Sequence, residues 1–458
     1  MSSLLAAAPA YRLMNATPLE RLTDGRFAVA SAQDVLLVGN TIAARGAACA
    51  GASPPDTIAI DCTGLLLLPG LINAHTHSPE TLRRGIAADS TGFDNWMDAV
   101  WPPIERLTPT EVGIAVTLGA VEMLKRGTTT VVDHFRQVPQ RVDAVEAALA
   151  AYEAVGLRAV VAVMLRDRDE RSGEPLQGMP PASEQAALCA DIAHRHTGRF
   201  ASIGVGPSGP GRCSDALLLA AAEQARAAHL PLHMHVDETV AQAKAARTRY
   251  GCSAVAHLDD LGFLGPDVAL AHCVWVDADD IDRLSRTGTA AIHNPAANMR
   301  LGSGRAPVAA MMNAGVTVAL GSDGPASNDS LDVLEAAKLA VLLSRSVAGD
   351  DKAWLSCGAA LGMLVDGGRC VAKQRAASLA PGAVADLTLI ELDSPPLVPL
   401  HDAAAQLVLG GPAISVRHVF VDGAWVLRDG AIPHIDVAAL CAEARVAARG
   451  RIPNGAAA

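Results

Sequence analysis

The 458-residue sequence lacks the features of membrane, secreted and nucleic-acid-binding proteins. No uncharged apolar run reaches the ~20 residues that span a bilayer, and no basic segment precedes an apolar one near the start, as in a secretory signal. The nine cysteines show no repeated Cys-x-x-Cys, which argues against a disulfide framework. Lys and Arg number 37 against 48 Asp and Glu, and this net charge of −11 disfavours phosphate backbones and anionic membranes as partners. We therefore expect a soluble, cytoplasmic protein that binds neither nucleic acid nor membrane.

What the sequence does contain is a long series of strand-like and helical segments. Between Leu65 and about residue 372, apolar runs alternate with Ala-rich helical stretches in nearly eight units. Such repeats are typical of parallel strands joined by crossover helices, and about 300 residues is near the usual size of a (β/α)8 barrel. A doubly wound open sheet is the competing architecture, but the first strand is not followed by a Gly-x-Gly-x-x-Gly loop. The pattern favours an α/β protein built on a TIM-like barrel.

Strand-like segments with turn residues occupy both ends of the chain. Residues 10–64 alternate apolar stretches with Gly and Asn turns, and the alternation returns after Gly382. We expect the two ends to pair into one small β-sandwich domain beside the barrel. The predicted organisation is residues 1–64 and 373–458 for the two parts of the sandwich and residues 65–372 for the barrel.

Two histidines follow the first apolar segment of the predicted barrel. The strand at Leu65–Leu68 leads through six residues to His75-Thr76-His77. Residues i and i+2 of a strand project from the same face, so both imidazoles could bind one ion at the carboxyl end of the strand. An isolated His-x-His pair is a modest signal, because such pairs also occur by chance.

A second strand-like segment, residues 230–236, contains two more histidines. It includes His233 and His235, and Glu238 follows three residues later. This spacing allows His235 to bind a metal while Glu238, on the following loop, acts as an acid or base. His233 shares the face of His235 but lies one layer deeper, so we interpret it as a hydrogen-bonded residue of the barrel interior.

Two later strands also end in polar residues. His272 and Cys273 follow one strand, and Asp323 follows the other. Polar residues at the carboxyl ends of barrel strands converge on one mouth, where barrel enzymes carry out chemistry. A carboxylate with neutral imidazoles suits Zn²⁺ or another divalent first-row ion. The ordered set predicts a metal site at the mouth, whereas Cys273 alternates away from it and is expected to pack.

These segments closely resemble motifs of the amidohydrolase superfamily, in its cytosine-deaminase-like branch of aminohydrolases. The matching segments are residues 69–77, His235-x-x-Glu238-Thr239, and residues 271–273, 293–304 and 321–324. The similarity extends to both chain ends, where residues 381–387 and 416–423 are similar to the small β-sandwich of that superfamily. Together the motifs are highly specific for the superfamily and less so for the substrate.

The resemblance implies roles for particular residues. The implied metal ligands are His75, His77, His235 and Asp323. Glu238 would shuttle protons, His272 would contact the attacking water or the substrate, and Asp323 would also act in catalysis by orienting the water. Relatives with two metals have a carboxylated lysine on a middle strand, but lysine is absent between Lys125 and Lys244. We therefore expect one divalent ion, Zn²⁺ or alternatively Fe²⁺.

The predicted substrate contacts come from several loops. The segment containing Trp96 and Glu105 is similar to the first loop of S-adenosylhomocysteine/methylthioadenosine deaminases and triazine hydrolases, and the glutamate matching Glu105 in the former holds a ribose. Glu105 could equally begin or pair along a helix. Against a nucleoside, those deaminases have Gly-Pro-His-Ser-Pro where this chain has Ser208 in place of the histidine.

His134 and Asn298 complete the set of predicted substrate contacts. His134 ends another predicted barrel strand, where it could hydrogen-bond a heterocycle, as in relatives acting on oxidised guanine, or could simply be packed. Asn298 belongs to the matching segment at residues 293–304. The full set is Glu105, Trp96, His134, Ser208 and Asn298.

The preferred interpretation is a mononuclear metal-dependent aminohydrolase that deaminates an amino-substituted N-heterocycle, such as a purine, pyrimidine, pterin or triazine. One alternative is hydrolysis of an amide, urea or carbamate C–N bond, or of a heterocycle–halogen bond. A second alternative is a catalytically silent metal-binding barrel. The superfamily also implies a homodimer or a larger homo-oligomer.

Overall fold

The computed structural model describes residues 9–87, 89, 92–346, 351, 354–374 and 378–449. In chain order, strands β1 to β17 are Tyr11–Arg21, Phe27–Val29, Gln33–Val38, Thr41–Arg45, Ile58–Asp61, Leu65–Pro69, Leu71–Thr76, Thr128–Phe135, Arg158–Leu165, Ala201–Pro207, Leu232–Val236, Val268–His272, Ala290–His293, Val318–Leu320, Leu387–Glu391, Val416–Val421 and Ala424–Leu427. Helices α1 to α16 are Ala48–Ala52, Phe93–Ile104, Pro109–Lys125, Val142–Val155, Ala182–Arg195, Asp215–Ala227, Val240–Tyr250, Ala254–Asp260, Ala278–Thr287, Pro295–Arg300, Val308–Asn313, Val333–Ser344, Cys357–Gly362, Gly368–Val371, Ala403–Gly410 and Val437–Arg449.

Strands β7 to β14 form an eight-stranded parallel sheet in which each strand pairs with the next along the chain. The sheet closes where the backbone N–H of Asp323, just after β14, donates to the carbonyl of His75 in β7 at 3.0 Å. Helices connect the strands and cover the outside, so almost every barrel-strand residue is buried. The prediction of a TIM-like barrel is confirmed.

The remaining strands form a mixed sheet built from both ends of the chain. Its order is β17-β16-β15-β6-β1-β3-β4, and β2 and β5 also pair with β1. Apolar side chains from both ends meet inside it, as where the rings of Tyr11 and Phe420 pack edge to face with centroids 5.5 Å apart. The predicted β domain from the two termini is therefore confirmed. Strand pairing alone does not assign its limits, and the boundaries at 64/65 and 372/373 stay predictions.

The first barrel strand begins later than the sequence predicted. The Leu65–Pro69 strand (β6) pairs with β1 and β15 in the terminal sheet, and the histidines belong to the separate strand β7, which starts at Leu71. Gly70 separates the two strands; its N–H donates to Asp386 O at 2.8 Å, and a Cβ there would overlap the Thr129 side chain. Both strands are buried on both faces and neither shows a regular alternation of apolar and polar residues, so periodicity could not reveal the break.

None of the described helices is long and apolar enough to cross a membrane.

Candidate metal and substrate site

The candidate site lies at the carboxyl ends of β7, β11, β12 and β14. Three residues at these ends, Asp237, His272 and Asp323, have positive φ angles of 45°, 76° and 61°. L-residues rarely adopt this left-handed backbone, which costs about 1–3 kcal/mol at each position. Strain of this kind is tolerated where surrounding structure fixes it, and it is concentrated at functional sites. Local backbone geometry therefore marks the mouth of this barrel.

Four side chains from three strand ends meet at the mouth, and we call them the ligand cluster: His75, His77, His235 and Asp323. Asp323 Oδ1 lies 3.3 Å from His75 Nε2 and 3.4 Å from His77 Nε2. The Nε2 atoms of His77 and His235 are 3.2 Å apart. The potential ligand atoms of the three histidines lie within 4.8 Å of one another, and all four side chains are buried. The structure thus brings together all four residues that the resemblance implied.

Hydrogen bonds to the other ring nitrogen set the orientation of each cluster histidine. The Nδ1 contacts are His77 to His134 O at 2.7 Å, His235 to Ser208 O at 2.9 Å and His75 to His233 Nε2 at 2.7 Å. A carbonyl oxygen only accepts, so Nδ1 of His77 and of His235 carries the proton. Their Nε2 lone pairs are then available to a metal. His233 acts as the supporting interior histidine that the sequence predicted.

The charge state of the cluster suits a divalent cation. Burial lowers the pKa of all three histidines, that of His75 to about 3, so the rings are neutral at pH 7. Burial alone would raise the pKa of Asp323, but the hydrogen bond with His75 and the neighbouring imidazoles outweigh it and lower the pKa. His75 Nε2 is buried 3.3 Å from Asp323 Oδ1 and has no other potential partner outside the cluster among the described residues. Neutral imidazole nitrogens and one carboxylate are a donor set that Zn²⁺ accepts.

Glu238 and His272 lie beside the cluster. Glu238 is buried just before α7, and burial raises its pKa to about 7. Its backbone N–H donates to Gln242 Oε1 at 2.9 Å, which holds the residue at the start of the helix. Glu238 Oε1 is 3.9 Å from His272 Nδ1, and that nitrogen donates to Asn298 Oδ1 at 2.8 Å. Glu238 can therefore gain or lose a proton near neutral pH, while His272 keeps Nε2 free.

The structure places the predicted substrate residues at different depths. Trp96 lines the cavity at the cluster and donates from Nε1 to Ala326 O at 2.9 Å. His134 and Ser208 are fully buried behind the cluster. Asn298 is also buried, and its Oδ1 accepts a hydrogen bond from His272 Nδ1. Glu105 is paired with Arg136, although its side chain stays 28% exposed. Contact between these residues and a substrate stays a prediction.

Three charged cavity residues were missed by sequence reasoning: Glu80, Arg136 and Arg212. All three are buried, and the guanidinium carbon of Arg136 lies 3.5 Å from the centroid of the Trp101 ring. Glu80 follows His77 by three residues and Arg136 follows a predicted strand end, so both positions carried a detectable signal. Arg212, within a Gly- and Pro-rich segment, carried none.

A nearly closed parallel barrel with imidazoles and a carboxylate gathered at its carboxyl-terminal mouth defines the class of barrel hydrolases with a metal site. The chain belongs to the amidohydrolase family, whose model matches residues 66–426. The chain is 36% identical to a 5-methylthioadenosine/S-adenosylhomocysteine deaminase of Thermococcus kodakarensis over 369 residues, which cover 80% of this chain and 84% of that protein. It is also 36% identical to a 5'-deoxyadenosine deaminase of Methanosarcina mazei over 395 residues, covering 86% and 88% of the two chains.

Solved structures show the same architecture over nearly the whole chain. An adenosine deaminase from Xanthomonas campestris with bound zinc matches with a TM-score of 0.86 and 27% identity, covering 97% of this chain and 98% of that one. An atrazine chlorohydrolase from Arthrobacter aurescens complexed with zinc matches with a TM-score of 0.87 and 25% identity, covering 96% and 99%. The prediction of a hydrolase of the deaminase type, acting on carbon–nitrogen bonds other than peptide bonds, is confirmed.

Burial of His293 at the end of β13 predicts a pH effect on stability. Burial lowers the pKa of His293 to about 3, whereas an unfolded histidine has a pKa of about 6.5. Below pH 6.5 the unfolded chain binds a proton at this position that the folded protein does not, so stability present above pH 6.5 is lost as the pH falls. His293→Gln should reduce the pH slope of unfolding free energy by about 1.4 kcal/mol per pH unit below 6.

Urea titrations of metal-free wild type and His293→Gln at pH 6.0, 5.5 and 5.0 measure this slope. The comparison of slopes is unaffected by any constant loss of stability in the variant. Equal slopes would show that His293 is protonated in the folded protein.

Proposed function

We propose that the protein is a zinc-dependent, mononuclear aminohydrolase that deaminates the purine ring of an adenine nucleoside altered at the 5' position. The observation that carries this proposal is the ligand cluster with Glu238 beside it, in a chain 36% identical to deaminases of 5-methylthioadenosine, S-adenosylhomocysteine and 5'-deoxyadenosine. The reaction consumes one water and releases ammonia, leaving a carbonyl oxygen where the amino group was.

In this proposal His75, His77, His235 and Asp323 hold the ion. A bound divalent ion supplies Lewis acidity, which lowers the pKa of a coordinated water toward ~7. His77 and His235 need no rearrangement of protons to receive the ion, because their imidazoles are neutral with the proton on Nδ1. The lowered pKa of Asp323 keeps its carboxylate ionised.

Glu238 transfers the proton between water and substrate. Its carboxylate takes a proton from the attacking water and delivers it to a ring nitrogen next to the reacting carbon, which prevents negative charge from building up on the ring. A pKa of about 7 suits both halves of this transfer, because the group must accept and release a proton near neutral pH.

His272 and Asp323 orient the water. Since His272 Nδ1 donates to Asn298 Oδ1, the remaining lone pair at Nε2 can accept a hydrogen bond from the water. One of the two water protons passes to Glu238, and the other is shared in a bifurcated hydrogen bond between His272 Nε2 and the Asp323 carboxylate. Asp323 would also hold the ion. With both water protons held, a lone pair of the water oxygen points to the carbon that bears the amino group. Positioning the reacting atoms in this way lowers the barrier of the reaction.

Some residues in and beside the cavity support the proposal of a nucleoside substrate. Trp96 and Trp101 provide apolar walls for a heterocycle. Glu105, whose side chain is 28% exposed, is paired with the cavity residue Arg136 and is the proposed partner of a ribose hydroxyl. Ser208 has a buried hydroxyl oxygen without a partner among the described residues. In this proposal that hydroxyl hydrogen-bonds the substrate in place of the histidine that the resembling deaminases have at this position.

Ammonia release tests the proposed reaction directly. Purified, zinc-loaded enzyme is incubated with 5'-deoxyadenosine, 5'-methylthioadenosine, S-adenosylhomocysteine, adenine, guanine and an aminotriazine, and ammonia is measured against the loss of each substrate. We expect equimolar ammonia and the oxo-purine nucleoside, with the nucleosides turned over faster than the free bases. Turnover of the triazine alone would contradict the nucleoside proposal.

A second candidate reaction is hydrolysis of a heterocycle–halogen bond. It is favoured by the likeness to the atrazine chlorohydrolase structure over 96% of the chain. Chloride release from a chlorotriazine distinguishes it, because a deaminase of the proposed kind would leave that bond intact.

The proposal also includes a cytoplasmic location and a homo-oligomeric state. All nine cysteines are unpaired, as expected in a reducing compartment. Light scattering coupled to size-exclusion chromatography tests the oligomer, since a dimer would have twice the 47.1 kDa mass of the chain.

A further inference from the structure

A second buried carboxyl group in the cavity has no role in the reaction described above. Glu80 lies in a short 3-10 helix, Ser78–Arg83, that directly follows β7. Its side chain is only 1% exposed, yet it lines the same cavity as His77, Glu238 and Asp323. Glu80 therefore faces the space where a substrate would bind, from a different strand end than Glu238.

One oxygen of Glu80 is satisfied by the protein and the other is not. Oε2 accepts a hydrogen bond from the backbone N–H of Ala326 at 3.3 Å. Oε1 is buried and has no hydrogen-bond partner among the described residues. The nearby cation Arg136 is committed to Glu105. Leaving a buried polar atom unpaired costs about 1–3 kcal/mol, so such an atom in a cavity indicates a partner supplied by a ligand.

The loop after Asp323 is shaped to accommodate this carboxyl group. Gly324 follows Asp323 directly, and a Cβ at that position would overlap Glu80 Oε2. Ala326, which donates to Oε2, also accepts the hydrogen bond from the Trp96 indole. Glu80 is thus held between the loop that carries a cluster residue and a tryptophan of the cavity wall.

We propose that Glu80 is a substrate-specificity residue whose Oε1 hydrogen-bonds a nitrogen of the purine ring other than the one protonated by Glu238. Nitrogens N3 and N7 of an adenine nucleoside carry lone pairs and no proton, so Glu80 is the donor in this hydrogen bond and binds the substrate as the neutral acid. The inference rests on the proposed function, and it limits the contacted atoms to N3 and N7.

Two substitutions separate hydrogen bonding by Glu80 from simple filling of space. Glu80→Gln keeps a donor at this position, and we expect kcat/KM to stay within about threefold of the wild-type value. Glu80→Met has a similar size but no donor, and we expect kcat/KM to fall about 10- to 100-fold, mainly through KM. Both variants should keep one metal ion per chain. Met removes a buried unpaired oxygen, but it also removes the acceptor of the Ala326 N–H. These effects oppose each other, so thermal stability of the ligand-free protein should change little.

Deaza nucleosides identify the contacted atom. The 3-deaza and 7-deaza forms of the preferred adenine nucleoside each lack one ring nitrogen but keep the nitrogen that Glu238 protonates. With the wild-type enzyme, one of these analogues should have a kcat/KM below that of the normal nucleoside by the same factor that Glu80→Met causes. Testing that analogue with the Glu80→Met enzyme should show no further decrease in kcat/KM.

Three results would overturn the inference. Wild-type kcat/KM in Glu80→Met, or fully additive losses with both deaza nucleosides, would show that Glu80 makes no contact with the ring. A clear loss of thermal stability in Glu80→Met would assign Glu80 to the fold instead. Failure of the proposed function gives a different result, because the wild-type enzyme would then release no ammonia from any nucleoside. In that case the proposed purine contact would also be wrong.

Discussion

Glu238→Gln is expected to lower kcat by about 10²- to 10⁴-fold while one metal ion stays bound. The amide has nearly the same shape as the carboxyl group, but it can neither take a proton from water nor give one to the ring, and proton transfer of this kind contributes a factor of that size. Glu238 is not in the ligand cluster, so the ion should be retained. The measurement is kcat by ammonia release together with metal content by mass spectrometry.

Glu223→Gln is the matched control for this variant. Glu223 is exposed on α6, away from the mouth, and the same substitution there should leave kcat unchanged within twofold. Turnover close to the wild-type value in Glu238→Gln, with metal present, would remove Glu238 from the proton-transfer role. Loss of metal from that variant would instead place Glu238 among the ligands.

His235→Gln is expected to weaken metal binding by at least about 100-fold and to abolish activity at limiting zinc. The substitution removes one of three imidazole donors and the hydrogen bond from Nδ1 to Ser208 O, and loss of even an outer hydrogen-bond partner costs about 10- to 100-fold in affinity. Competition with a coloured zinc chelator measures the affinity, and ammonia release measures the activity.

His293→Gln controls for loss of a buried imidazole as such. His293 is also a fully buried strand-end histidine, but it is not part of the ligand cluster. This variant should bind zinc with wild-type affinity. Equal weakening by both substitutions would mean that metal binding responds to general damage of the barrel rather than to loss of a ligand.

The sequence was most informative where chemistry and strand geometry coincide. His75 and His77 sit two residues apart at a strand end, so their shared face followed from the period of a strand. Asp323 is nearly 250 residues further along the chain, and its convergence with them followed only from the rule that barrel strands end at one mouth. The barrel was predicted correctly because strand-like apolar runs alternate regularly with Ala-rich helical stretches.

Other features required three-dimensional structure. The change from β6 to β7 at Gly70 depends on packing against Thr129 and Asp386, which lie far away in the sequence. The ring orientation of His77 and His235 depends on the backbone carbonyls of His134 and Ser208. Every residue has a backbone carbonyl, so the sequence does not show which ones accept these hydrogen bonds. Glu80 was overlooked because a single glutamate after Pro79 is typical of an exposed helix start. Glu80 is buried because the loop at Gly324 packs against its carboxyl group, and this contact is known only from the three-dimensional structure.

The central claim is that His75, His77, His235 and Asp323 together hold one divalent ion. Anomalous diffraction at the zinc absorption edge, from crystals of the protein with one equivalent of zinc, tests it most directly. We predict a single strong peak per chain, bounded by the Nε2 atoms of the three histidines and Oδ1 of Asp323. Two peaks at the mouth, or one peak away from these four atoms, would contradict the account.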